Sequence, residues 1–306
     1  MRIGVPKETV RRDRRVAALP ETVREYLRMG FDVSIEASAG NGAMVSDSAF
    51  ADAGAQIVHD PNRLYADSDI ILKVEGPCLR PGDGGHEAQM MRHGGMIVGL
   101  LHPVAPPCHK ALCILCDKRA TAFSMDCIPR TSRTQRMDAL LSMGTIAGYK
   151  SILMAANHLP KLMHMVGTVV GVVGAARVLV VGAGVVGLRA IATARQLGAV
   201  VTASDARAGA RKAAVSFGAR APAFDIPQHV AVGPGGQAQT LPDAWIDRER
   251  EFLRPLLADA DVVVLSACVP GERAPVLVTQ DMVRTMRPGS VIMDVAIADG
   301  GNCELT

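Results

Sequence analysis

The residues from Arg177 to Arg207 constrain this chain more than any other stretch. An apolar run from Val178 leads into Gly182, and Gly182, Gly184 and Gly187 stand in G-x-G-x-x-G spacing. A helical pattern continues through Leu197 and is broken by Gly198. A second apolar run, Ala199 to Ala203, then ends in Ser204 and Asp205. Strand, glycine turn, helix, strand and acid, in that order and at that length, make one βαβ unit of the dinucleotide-binding kind.

Each part has a physical task. Gly182 lets the chain turn out of its strand, Gly184 lets a pyrophosphate approach the backbone, and Gly187 lets the helix lie close to the sheet. The amides from Gly182 and Ala183 through Val185, Val186 and Gly187 open the helix. Its N-terminus offers unpaired N–H groups and partial positive charge to phosphates. Asp205 follows Gly187 by 18 positions. A carboxylate there accepts from both ribose hydroxyls and repels a 2′-phosphate, which favours NAD over NADP. Arg207, two residues on with Ala206 between, works against that preference. The alternative is a Gly-rich turn in an α/β protein that holds no cofactor.

Length and composition narrow the rest. A chain of 306 residues with 49% apolar side chains suffices for two domains. The net charge of +3 gives no reason to expect nucleic acid, since the basic residues are scattered apart from Arg11, Arg12, Arg14 and Arg15. Arg2 leads directly into a strand-like run with Pro6, unlike a signal peptide. The apolar region from Ser151 to Val173 is interrupted by Asn157, His158, Pro160, Lys161 and His164, so it does not read as a membrane span. A cytoplasmic protein is the expectation. Seven cysteines, an odd number, argue against a disulfide framework. Cys108, Cys113 and Cys116 have a spacing used by iron–sulfur proteins, with Cys127 beyond. Ala111 to Cys116 also reads as the apolar face of a helix with buried thiols, which is the preferred interpretation.

Short apolar strands alternate with helices along the whole chain. Strands are expected at 2–6, 31–35, 57–58, 70–74, 96–101 and 120–123, and helices at 20–29, 46–53 and 106–118. This is an α/β pattern with doubly wound parallel sheets. Residues 1–135 read as an N-terminal α/β domain. Residues 136–165 read as a linking helix that kinks or ends near Leu159. Residues 166–306 read as a second, Rossmann-like domain, with a Gly/Val-rich approach at 167–176. Within it, helices are expected at 208–217, 245–257 and 279–286 and strands at 262–265 and 291–295. A mobile polar loop is expected at 229–242 and a Gly/Asn tail at 300–306.

With these residues in view, the chain resembles the NAD(H)-binding component, domain I, of proton-translocating nicotinamide nucleotide transhydrogenases. It resembles alanine dehydrogenase, of the same fold, less closely. The likeness runs along essentially the whole chain. It is carried by Lys7-Glu8-Thr9, Arg15-Val16-Ala17, Leu72-Lys73-Val74, Pro129 to Gln135, Met137 to Lys150, the βαβ unit, Val269 to Pro275, Arg287 to Val291 and Gly300-Gly301-Asn302-Cys303. The segment 129–150 is the stretch that separates the two groups. The resemblance implies that Arg130 and Asp138 hold the nicotinamide of NADH and that Gln135 reaches toward NADP(H) on a partner domain. It implies cofactor contacts from Ser142, Gln237, Ser266 and Ala267 as well. It further implies a homodimer, docked on a membrane-embedded subunit and an NADP-binding domain, peripheral to the inner membrane and coupled to proton transport. The chain departs from the family pattern at Leu141, where a serine is usual, at Gln237 for tyrosine and at Leu241 for methionine. Family members also continue beyond the point matching Thr306 with a segment that returns to the first domain.

Two rivals remain. An alanine dehydrogenase needs a cation for the substrate carboxylate and acid–base groups for the amine. Arg15, Lys73 and His102 match that family's residues, but its catalytic Asp aligns with Ala298, one position before Asp299. Lys73 and His102 otherwise serve as polar ends of buried strands. The other rival is an NAD-binding homologue without catalysis.

Overall fold

The computed structural model describes residues 1–306 except 11, 83–84, 104, 129–132, 234–235 and 270–271, together with the side chains of Gln135 and Ala298. The chain divides into two compact units, Met1–Ala139 and Leu140–Thr306.

The first unit is built on a six-stranded parallel sheet. In chain order its elements are β1 (Arg2–Val5), α1 (Pro20–Arg28), β2 (Asp32–Glu36), α2 (Asp47–Asp52), β3 (Gln56–Val58), α3 (Pro61–Asp67), β4 (Ile70–Glu75), α4 (Glu87–Met90), β5 (Met96–Leu100), α5 (His109–Asp117) and β6 (Thr121–Ser124). The strand order is β3-β2-β1-β4-β5-β6. Successive strand residues face opposite sides, so Ile3, Val5, Val33 and Ile35 build one core and Ile71 and Ile97 the other. The register of β4 against β5 shifts between Leu72 and Glu75, so Lys73 and Val74 sit in an irregular stretch.

This unit departs from the sequence expectations at α3, α4 and α5. Helices α3 and α4 lie where the sequence reading has none, although Asp60 caps the Asn62 amide of α3 and Pro61 stands in its first turn. In α5 the buried residues are Ala111 and Leu115, while Cys113 and Cys116 are exposed. Four residues span about one helical turn, so the 111/115 face turns inward and the thiols turn outward. Cys127 is also exposed and Cys108 half-buried, and all seven cysteines are free.

The second unit opens with α6 (Ala139–His158), which ends before Pro160. By length and composition alone α6 could cross a membrane, with mean hydropathy 1.3. Its Gly148, Ser151, Ile152 and Ala155 are buried, and Gly148 lies so close to the Val186 carbonyl that a Cβ would stand 2.2 Å from it. An antiparallel hairpin follows, β7 (Val166–Thr168) and β8 (Gly171–Val173), within the Gly/Val-rich approach. Then come β9 (Arg177–Val181), α7 (Val185–Gln196), β10 (Val200–Ser204), α8 (Ala208–Ser216), α9 (Gln228–Ala231), α10 (Asp243–Asp259), β11 (Val262–Leu265), α11 (Gln280–Arg284) and β12 (Val291–Asp294). The strands form a parallel sheet in the order β10-β9-β11-β12. Val178, Val180, Val262 and Val264 face the core under α7, and Leu179, Val181, Val263 and Leu265 face the core under α10. The Gly/Asn segment 300–306 is tied to the end of β12. Asp294 accepts from the amides of Asn302 (2.7 Å) and Cys303 (3.1 Å) and from the Thr306 hydroxyl (2.7 Å).

Candidate functional site

The carboxyl end of the second sheet carries the glycine turn. Gly182 leaves β9 with φ +89°, and a Cβ there would stand 2.7 Å from the Ser266 carbonyl group. Gly187 is fixed by contact rather than by backbone angle, because a Cβ would lie 1.8 Å from the Gly182 oxygen. Around Gly184 a Cβ would meet nothing within 4 Å, so this is the open side of the turn. Gly184 is the N-cap of α7, whose first-turn amides from Val185, Val186 and Gly187 have no place in the helical ladder. The turn thus presents donors and open space together, which suits a phosphate.

Asp205 ends β10 beside this turn and is 7% exposed. Its Oδ2 accepts from the Ala183 amide at 2.8 Å, which ties β10 to the turn. Arg207 takes the rest of the carboxylate: its amide and Nε donate to Oδ1 at 2.9 and 3.0 Å, and Nη2 donates to Oδ2 at 2.9 Å. A carboxylate has about four acceptor positions, and these four donors fill them. Arg211 closes the loop by donating to the carbonyls of Asp205 (2.6 Å) and Ala206 (2.8 Å).

The third wall is the end of β11. The Ser266 hydroxyl donates to the Gly182 carbonyl at 2.9 Å. Ala267 is held on both sides by Asn302, whose Oδ1 accepts its amide at 2.9 Å and whose Nδ2 donates to its carbonyl at 2.8 Å. Asn302 is fully buried, and no local sequence pattern singles it out for this role. Gly182, Ala183, Gly184, Val185, Val186, Gly187, Asp205, Ala206, Arg207, Ser266 and Ala267 therefore converge on one end of one sheet.

The remaining candidates belong to other segments of the chain. Gln237 is exposed, on a turn closed by the Gly233 amide donating to its carbonyl at 2.9 Å and by a bridge between Val232 and Ala238. Leu241 is buried under α10. Ser142 is on the exposed side of α6. Gln135 falls in a short 3-10 turn, Gln135–Met137, and Asp138 follows it half-buried. Arg130 lies outside the described residues.

In the first unit, Arg15, Lys73 and His102 gather where β4 and β5 end. The Lys73 side chain is fully buried, with Nζ 3.0 Å from Glu87 Oε2 and 3.3 Å from Glu8 Oε2. Burial works against its charge, but the two carboxylates outweigh this and raise its pKa. Arg15 Nη2 pairs with Asp13 and Glu75, each at 2.6 Å. His102, with φ +45°, places Nε2 3.4 Å from Glu75 and Nδ1 3.7 Å from Asp126. His102 and Arg15 hold the Glu75 pKa below its usual value, against the opposing effect of burial.

Two parallel-sheet units, one of them ending in a Rossmann-type glycine turn with its acid, define a protein of the dinucleotide-binding α/β class. The family can be stated as well. Residues 4–147 match the N-terminal domain, and residues 151–306 the C-terminal domain, of alanine dehydrogenase/PNT, and the chain belongs to that family. It is 36% identical over its full length to an NAD(P) transhydrogenase alpha-subunit polypeptide of Rhodospirillum rubrum, covering 79% of that protein. It is 31% identical to alanine dehydrogenase of Mycobacterium tuberculosis, over 98% of this chain and 74% of that one. The structure of transhydrogenase from Sinorhizobium meliloti superposes with a TM-score of 0.83 at 34% identity, covering 99% of this chain and 81% of the other. The two parallel sheets and the long helix between them in sequence agree with the fold class read from the sequence.

Proposed function

We propose that this chain is the NAD(H)-binding component of a proton-translocating transhydrogenase. The observation that carries this reading is the turn at Gly182–Gly187 with Asp205 beside it, in a chain similar to transhydrogenase alpha subunits over its full length. The residues present fit the cofactor: α7 amides and the open side of Gly184 for the pyrophosphate, and Asp205 for the adenosine ribose once Arg207 moves aside.

Bound NADH would supply the hydride, and NADP⁺ on a partner domain would accept it. This chain's residues position and shield. Arg130 and Asp138 orient the nicotinamide, Gln135 faces the partner's cofactor, and Ser142, Gln237, Ser266 and Ala267 line the dinucleotide. Transfer between two nicotinamide rings exchanges no proton with a third substrate, so no acid or base is required. Orientation and exclusion of water are the chain's contribution. The partners in this reading are a membrane-embedded subunit, coupled to proton flow, and a second copy of this chain. The exposed valines of the hairpin, Val169, Val170 and Val172, give that copy an apolar surface to cover.

Alanine dehydrogenase activity has less support. Lys73 is enclosed by two carboxylates, and Arg15 and His102 both lie against Glu75, so these three side chains are already engaged within the protein. Calorimetric titration with NADH, with NADPH as control, tests the main reading. Binding of NADH alone, followed by hydride exchange on adding an NADP-binding partner domain, is the expected result. Binding of neither cofactor, or of NADPH alone, overturns it. Binding without exchange supports the non-catalytic homologue instead.

A further inference from the structure

The parallel ladder of β11 ends at Leu265, opposite Val181 of β9 and Asp294 of β12. Ala267 lies beyond the ladder and is half-buried, yet both its peptide groups are paired. Asn302 supplies the pairing: Oδ1 accepts from the Ala267 amide at 2.9 Å and Nδ2 donates to the Ala267 carbonyl at 2.8 Å. One side chain thus exchanges both bonds with one residue, as a facing residue on an antiparallel strand does. A third bond runs from Nδ2 to the Pro275 carbonyl at 2.8 Å, and Asn302 is fully buried.

Asn302 is itself held in place. Its amide donates to Asp294 at 2.7 Å, and its carbonyl accepts from the amides of Leu277 and Val278, each at 2.9 Å. The Asp294 carboxylate also accepts from the amides of Ala296 (3.0 Å) and Cys303 (3.1 Å). On its other side Ala267 abuts the glycine turn, where a Cβ on Gly182 would stand 2.8 Å from the Ala267 nitrogen. A continuous run of contacts therefore leads from the end of β12 through Asn302 and Ala267 to the turn that opens α7.

The strand order β10-β9-β11-β12 reverses between β9 and β11, and a dinucleotide lies across the carboxyl ends of such a sheet at that point. With the adenosine ribose at Asp205, on the β10 side, the nicotinamide half passes to the β11 side. We propose that Asn302 is a positioning residue for the dinucleotide: by pairing both peptide groups of Ala267, it fixes the β11 wall against which the nicotinamide half lies. This rests on the NAD(H) reading above. Because Asn302 takes both peptide groups, Ala267 offers the cofactor shape and no backbone hydrogen bond. A wall displaced by about 1 Å misplaces the ring that must give up hydride.

The test is calorimetric titration of the full chain with NADH and, separately, with ADP, for wild type and Asn302→Ala. ADP carries the adenosine ribose and two phosphates but lacks the nicotinamide half. Asn302→Ala is expected to weaken NADH binding about tenfold. ADP affinity is expected to stay within about twofold of wild type, because Asp205 still ties the turn through the Ala183 amide. A merely structural role would spread the loss over both ligands or show it in thermal melts alone. If melts show that Asn302→Ala does not fold, Asp294→Asn takes its place: it removes the charged acceptor of the Asn302 amide and is read by the same criteria. Unchanged NADH affinity, or equal weakening of both ligands, overturns the proposal while leaving the NAD(H) reading in place. A wild type that binds no NADH overturns both.

Discussion

Arg207 occupies the Asp205 carboxylate from the side, with Nε 3.0 Å from Oδ1 and Nη2 2.9 Å from Oδ2. The acid proposed to receive the ribose is thus already engaged by a neighbouring cation. Arg207→Ala should free it and tighten NADH binding about fivefold, equivalent to about 1 kcal/mol. Titration calorimetry reads this directly. A weaker complex would instead mean that the guanidinium itself holds the cofactor.

Asp205→Ala should act in the opposite direction. It removes the ribose acceptor and leaves the Ala183 amide without its 2.8 Å partner. Lost charged hydrogen bonds of this kind cost about 1–3 kcal/mol. The Kd for NADH should rise accordingly, and an unchanged Kd would place the ribose elsewhere.

Gly187→Ala tests the packing of α7 on β9. The new methyl would start 1.8 Å from the Gly182 oxygen, which belongs to backbone and cannot rotate away. Either α7 lifts from the sheet or the turn distorts, at a cost of about 1–3 kcal/mol. Thermal unfolding should show the loss, together with weaker NADH binding. A wild-type melting temperature would mean that the helix–strand contact is looser than described.

The glycine turn is legible in the sequence because its requirements are local: a bend at Gly182 and a contact between Gly187 and a residue five positions earlier. Long-range polar contacts are not. Asn302 clamps Ala267 from 35 positions away, and Lys73 meets Glu87 across a loop; neither leaves a periodic trace. The β7–β8 hairpin escapes a pattern-based reading because successive residues of β8, Val172 and Val173, are both exposed, which removes the alternation that marks a half-buried strand. Helix α3 does carry a signal, Asp60 as N-cap followed by Pro61. The cysteines of α5 mislead for the opposite reason: an apolar composition suggests a buried face, but 111 and 115 are the buried positions, 112 and 114 pack beside them, and the thiols of 113 and 116 face outward.

Acid should weaken the second unit through Asp261. Burial raises its pKa, but the Lys161 ammonium (2.9 Å) and the Arg177 amide (2.8 Å) outweigh this, and the folded-state pKa falls below the ordinary 3.8. The stabilisation is therefore complete above the unfolded-state value and disappears as pH falls through the folded one. Melting temperatures from pH 6 to pH 3 should drop further for wild type than for Asp261→Asn. Equal drops would assign the acid sensitivity to other carboxylates.

Lys73 allows a sharper test, because its role in the fold and its role in the rival activity predict different things. Its Nζ stands between Glu87 and Glu8, and all three side chains are essentially buried. Lys73→Met should leave Glu8 without its cation and Glu87 with only the Arg80 guanidinium, 3.4 Å away. Breaking a buried pair in this way costs about 3–5 kcal/mol, much of it the penalty of the uncompensated charge left behind. Adding Glu87→Gln should therefore recover part of the loss, since one of the stranded charges is removed with it. Chemical denaturation of the single and double variants measures both steps. Recovery in the double variant would mark Lys73 as a counterion of the fold. A single variant that keeps its stability but loses an NADH-linked reaction with an amino acid would mark it as a substrate residue and revive the dehydrogenase reading.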